Sequence, residues 1–148
     1  MAKELGKLAW KGKLHLLVPG ESVETAGLII TAIPAYNKLK PFHPKRNGWL
    51  GYLLEMDGRV YYIAGDTDAV KEQQEIRCDV ALVPIGGKFT MNAWEAAGIV
   101  NKIKPKAAIP THYGSIVGKP QDADTFRKMI DREVQVEGTK CDRQMERN

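Results

Sequence analysis

Asp66 and His112 carry the side chains best suited to chemistry in this sequence. They lie in Gly65-Asp66-Thr67-Asp68 and Thr111-His112-Tyr113-Gly114. A carboxylate and a neutral imidazole suit zinc, manganese or iron, and the neighbouring glycines let a ligand come close to the backbone. Each segment follows a short apolar run that reads as a strand, and open α/β sheets place their sites beyond strand ends. A third such run ends in Pro84-Ile85-Gly86-Gly87, whose small residues would leave substrate space above the sheet edge. Other readings stand beside these. Asp66 could cap a helix over Ala69 to Glu75, and His112 could be a satisfied histidine at a strand end. His15 lies in an apolar stretch and reads as packing. His43, within Lys40-Pro41-Phe42-His43-Pro44-Lys45, is either an exposed loop histidine or one that faces substrate.

The elements that must position these residues are legible as patterns. Leu14 to Val18 and Leu28 to Ile33 read as strands that pair as neighbours across the turn signal Pro19-Gly20. A loop rich in Pro, Lys and aromatics, 34–48, follows. Leu50 to Glu55 and Arg59 to Ile63 flank Met56-Asp57-Gly58, and Asp-Gly between two such runs is a strong hairpin signal. Asp79 to Pro84 and Lys106 to Pro110 suggest strands buried on both faces. Between them Asn92 and Glu95 form a capping-box pattern. Ala96, Ala97, Val100 and Ile103 recur at helical spacing, and the helix must stop before Pro105. A second helix is expected over Asp122 to Asp131 and a last strand over Val134 to Glu137. Hairpin first and βαβ afterwards is an α/β arrangement with a mixed sheet.

The 148 residues, with 43% hydrophobic content, fit a single domain, with 1–13 and 139–148 expected to be loosely ordered. No run approaches the roughly 18 apolar residues of a spanning helix, and the N-terminus has no signal-peptide core, so no membrane role and a cytoplasmic location are expected. Cys78 and Cys141 are far apart with no CxxC spacing, which argues against a disulfide framework or a cysteine zinc site. Cys78 reads as a small core residue. The net charge of +4 is too modest, and nucleic-acid motifs are too plainly lacking, for a nucleic-acid binder.

Taken together and in order, four segments resemble the later part of metallo-β-lactamase-fold hydrolases. They are Gly51-Tyr52-Leu53-Leu54-Glu55, Tyr62-Ile63-Ala64-Gly65-Asp66-Thr67, Asp79 to Gly87 with Phe89-Thr90-Met91, and Ile109 to Gly114. The group that includes ascorbate-6-phosphate lactonase-like proteins is especially similar, and Ile33 to Asn37 with Lys40 to Lys45 looks like a segment from that group. The resemblance covers nearly all of 14–137. It implies an αββα sandwich with metals at one sheet edge, Asp66 bridging two metals and His112 binding the second. A water acidified by the two cations would be the nucleophile. Substrates across the fold include lactones, thioesters, phosphodiesters and β-lactams.

The chain also departs from that pattern. It has three histidines and no His-x-His-x-Asp-His motif, so the first half of the fold is expected to be missing. The position at which many relatives carry a further metal-binding histidine falls near Asn37. Two expectations follow. The first is a truncated or split metal-dependent hydrolase of the lactone, ester or phosphoester class, weak or inactive alone, with zinc ahead of manganese or iron. Its metal residues would be Asp66 and His112, and Asn37, His43, Lys45, Gly86 and Gly87 would meet an anionic small-molecule substrate. An exposed sheet edge and apolar surface would make it a homo-oligomer or recruit a separate chain that supplies the missing half. The second is a non-catalytic remnant that binds anions through Lys38, Lys40, His43, Lys45 and Arg46 or serves as a structural module.

Overall fold

Seven short strands in chain order build one sheet in the computed structural model, which describes residues 12–138. They are β1 (Ser22–Thr25), β2 (Leu28–Pro34), β3 (Leu50–Met56), β4 (Arg59–Ile63), β5 (Val80–Pro84), β6 (Ala107–Thr111) and β7 (Gln135–Val136). β1 to β4 run antiparallel to their neighbours, whereas β5, β6 and β7 continue from β4 in parallel. The expected mixed sheet is therefore present. Asp57 and Gly58 both take positive φ, 51° and 70°, as a tight hairpin between β3 and β4 demands. Helix α1 (Ala93–Ile103) begins at Asn92, whose side chain accepts from Trp94 and Glu95 N–H while Glu95 reaches back to Asn92 N–H. It ends on Lys104, before Pro105. Helix α2 (Asp122–Met129) is shorter than expected and carries Asp122 and Asp124 in its first turn, where negative charge is favoured.

One expected strand does not form. Among the described residues Leu14 to Val18 has no ladder partner, and Leu14, Leu16 and Val18 are exposed. The neighbouring place is taken by β1, which returns through Ala26-Gly27 to pair with β2, Ser22 opposite Thr31. Chain ends 1–11 and 139–148, and Cys141 with them, lie outside the described residues.

Registered pairing sorts the side chains by face. Leu53, Tyr62, Ala81, Ala108 and Val136 form one cross-sheet row. With Val83, Ile85 and Met91 they pack under Ala96, Val100 and Ile103 of α1 and Phe126 of α2. Asn101 ties the helices together by donating to Met129 O and accepting from Asp131 N–H. The opposite row, Ile30, Leu54, Tyr61, Val80 and Ala107, is only half-buried, so β5 and β6 are covered on one face rather than on both. Among the described residues no helix is long and apolar enough to cross a membrane.

Two core details carry predictions. Among the described residues the buried Tyr62 hydroxyl has no partner in hydrogen-bond geometry; burial pushes its pKa up, and the Gln73 amide offsets this only in part. Gln73, nearby, directs its amide to Val70 N–H and Thr67 instead. Tyr62→Phe removes only that orphan group, so stability is expected to hold or rise by up to about 1 kcal/mol in urea titration. A loss of stability would show that Gln73 bonds to the hydroxyl after all. Asp79 clamps the base of the parallel strands by accepting from Lys106 Nζ at 2.7 Å and Val60 N–H at 2.8 Å. The Lys106 hydrogen bond, then the Val60 one, holds its carboxyl below the usual carboxylate range. The folded state therefore favours the ionised form. Its contribution is present above the unfolded pKa of about 3.9 and disappears as pH falls through the lower folded value. Asp79→Asn should lower Tm by a few degrees at neutral pH, with the gap closing in acid; a gap that widened in acid would reverse the assignment. Cys78 is half-buried, and burial pushes its thiol up to about 11, as befits a packing residue rather than a nucleophile.

Candidate metal centre

Beyond the carboxyl ends of β4, β5 and β6 the chain makes three loops, and the two outer ones deliver the residues singled out from sequence. After Ile63 the buried Ala64 and the positive-φ Gly65 turn the chain so that Asp66 projects, while Thr67 and Asp68 turn inward and are buried. Thr67 Oγ1 accepts from Tyr36 N–H at 3.1 Å, and Thr67 O accepts from Met91 N–H. The short helical turn Lys71–Glu75 starts at Val70, where the Gln73 side chain meets Val70 N–H. Asp66 does not cap it.

His112 follows β6 directly and takes φ 55°, a left-handed conformation that is uncommon outside glycine and costs energy. The loop after β5 supports it from below. A Cβ on Gly86 would overlap the His112 carbonyl oxygen and stand 2.7 Å from Val117 Cγ2. Ile85 N–H donates to Thr111 O at 3.0 Å. Gly86 thus serves as a seat for the His112 loop, and neither it nor Gly87 lines the cleft described next.

Asp66 lies between two imidazoles. Its Oδ1 stands 3.0 Å from His112 Nδ1, and its Oδ2 stands 3.5 Å from His43 Nε2. The carboxylate remains 43% exposed, so it is open to a ligand. His43 arrives from the β2–β3 loop, some twenty residues upstream in sequence. All three side chains line one open cleft of about 620 Å³, whose other walls are Phe42, Phe89, Tyr113, Ser115, Ile116 and Val117. Phe42 and Phe89 meet edge to face at 4.6 Å. Phe42, at 45%, and Ile116, at 93%, present apolar surface to solvent.

Other residues expected at the site lie elsewhere. Lys45 Nζ binds Glu72 at 2.8 Å and sits over the Tyr36 ring, with the Tyr36 hydroxyl donating to Glu72 as well. Burial pushes the Glu72 carboxyl up, but the Lys45 and Tyr36 hydrogen bonds outweigh it and hold the pKa low. The Glu72 hydrogen bond in turn raises that of Lys45. Lys40 is held by Asp68 at 2.7 Å and Thr90 O at 2.6 Å. Asn37 is buried and does not line the cleft. His15 does not line it either. The apolar wall and the partly buried Lys40–Asp68 pair were not foreseen from sequence. The aromatic beside His43 and the second aspartate of Gly-Asp-Thr-Asp were the available signals.

Two imidazoles and a carboxylate match zinc, manganese or iron in kind. In number they reach only the lower limit of a zinc site. Among the described residues no group of three or more His, Cys, Asp and Glu side chains is already arranged to hold an ion, and zinc sites use three or four protein ligands.

Residues 4–112 match the family model described as "Beta-lactamase superfamily domain". A metal-dependent hydrolase of Pyrococcus abyssi is 32% identical over 118 residues, 76% of this chain and 52% of that protein. One of Pyrococcus furiosus is 34% identical over 112 residues, 72% of this chain and 50% of that protein. Among solved structures, a Parabacteroides distasonis protein described as a metal-dependent hydrolase superposes with TM-score 0.71 at 32% identity, covering 90% of this chain and 59% of the other. The chain spans about half the length of the curated relatives it matches.

Proposed function

Since the chain belongs to the Beta-lactamase superfamily domain family, we propose that it contributes His43, Asp66 and His112 to a divalent-metal site for hydrolysis of a lactone, ester or phosphoester. One observation supports this above the rest. Ligand-type side chains from three separate loops meet at the Asp66 carboxylate, in one cleft at the ends of parallel strands. When bound, the cation would acidify water and steady the developing oxyanion. Zinc suits the histidine-rich set, and manganese or iron remain compatible with it. The residues of this chain would bind and orient. Asp66 and the two imidazoles hold the cation, and Phe42, Phe89 and Ile116 pack the apolar part of a substrate and exclude water. Lys45 is bound to Glu72, so selection of an anionic substrate would fall to other groups.

The remaining ligands lie, on this proposal, beyond the described residues or on another chain, and the chain alone is expected to turn over weakly or not at all. The half-covered face with Tyr52, Ile63 and Leu82 is where a second copy or a complementing chain would pack. Light scattering at micromolar concentration checks the homo-oligomer. The likeness to ascorbate-6-phosphate lactonase-like proteins makes lactones the first substrates to test. With added zinc or manganese, a chelator-sensitive release from an aryl ester or lactone, lost in His112→Ala, would support a hydrolase. Activity unaffected by chelator and by His112→Ala would overturn the assignment.

A further inference from the structure

We propose that Asn37 is a positioning residue that holds His43 in the tautomer protonated on Nδ1, leaving Nε2 unprotonated toward Asp66; this rests on His43 belonging to the site described above. Asn37 is 5% exposed, and its amide orientation is fixed by its partners. Nδ2 lies 3.0 Å from Asp68 Oδ1 and 2.9 Å from Phe89 O, a carboxylate and a carbonyl that only accept. The Asn37 nitrogen must face them, and its oxygen therefore faces His43. That oxygen accepts from His43 N–H at 3.0 Å and stands 3.1 Å from His43 Nδ1. An amide oxygen carries no proton, so Nδ1 must supply one.

A neutral ring with its proton on Nδ1 has its lone pair on Nε2, and Nε2 stands 3.5 Å from Asp66 Oδ2. Two electron-rich atoms then face each other. A cation held by both would relieve their repulsion, and fixing the tautomer in this way is the service that outer partners of metal-binding histidines commonly perform. Asn37 is itself anchored. Asp68 also accepts from Lys38 N–H at 2.9 Å and from Lys40 Nζ, and Lys40 reaches Thr90 O. The Trp49 ring meets the imidazole edge to face at 5.9 Å, which limits its rotation. The position that sequence comparison placed near a metal-binding histidine thus holds a residue that orients one.

Long-range proton–nitrogen correlation on histidine-labelled, metal-free protein at pH about 8.5, where an ordinary imidazole is neutral, reads the tautomer directly. His43→Gln assigns the signals. In the wild type the proton is expected on Nδ1 of His43, and it should stay there in Asp66→Ala, because Asn37 sets it. In Asn37→Ala it should move to Nε2, which can then donate to Asp66. Zinc affinity of Asn37→Ala should fall about 10- to 100-fold. A wild-type proton on Nε2, a shift in Asp66→Ala, or an unchanged tautomer in folded Asn37→Ala would each overturn the proposal. Should Asn37→Ala not fold, the wild-type and Asp66→Ala spectra decide it. Failure of zinc to bind at all would count against the metal site and leave the tautomer result standing.

Discussion

Asp66→Ala is expected to abolish measurable zinc binding while leaving the fold as stable as the wild type. The Asp66 side chain touches both His43 and His112, through different carboxylate oxygens. Without it two neutral imidazoles from separate loops remain, with no anion to offset the cation's desolvation. The loss should therefore exceed the roughly 10–100-fold that outer-shell changes cost. Stability should not follow, because the carboxylate is partly exposed and caps no helix. A change within about 0.5 kcal/mol is expected in denaturant titration. Unaltered zinc affinity in calorimetry would place the ion elsewhere, and a collapse of the fold would make Asp66 structural.

Gly86→Ala should be the most damaging single methyl addition near the site. The new Cβ would overlap the His112 carbonyl oxygen and crowd the buried Val117, and the backbone on the His112 side is already strained at φ 55°. Overpacking of this kind costs about 1–3 kcal/mol, and relief by shifting the His112 loop would weaken zinc binding as well. Gly98→Ala in α1 is the internal control. Its Cβ would meet nothing within 4 Å, and replacing a mid-helix glycine should stabilise by about 0.5–1 kcal/mol. Equal effects of the two substitutions on stability would show that the His112 loop yields to the added methyl without cost.

The parts of this fold that sequence revealed are those in which a local rule and the tertiary structure agree. Asp57-Gly58 needs positive φ in any hairpin, and Asn92 with Glu95 satisfies helix-end N–H groups whatever the helix packs on. Leu14 to Val18 misled because apolar content alone suggested a strand, whereas β1, with the sequence Ser22-Val23-Glu24-Thr25, owes its place to pairing with β2. Asp66 and His112 were legible because each sits just past a parallel strand, where the backbone itself aims the side chain. The role of Asn37 was not. It arises from four hydrogen bonds to residues spread between 43 and 89, and no window of sequence displays them together. Lys45 shows the converse. Its basic, aromatic neighbourhood suggested substrate, yet its nearest strong acceptor is Glu72.

A zinc titration of the wild-type chain, followed at the histidine side-chain nitrogens, tests the proposed centre most directly. The expected result is that ring-nitrogen signals of His43 and His112 move together at the same zinc concentrations while those of His15 stay in place, and that neither moves in Asp66→Ala. Signals that remain fixed at both His43 and His112, or that respond at His15 alone, would contradict a metal centre built on Asp66.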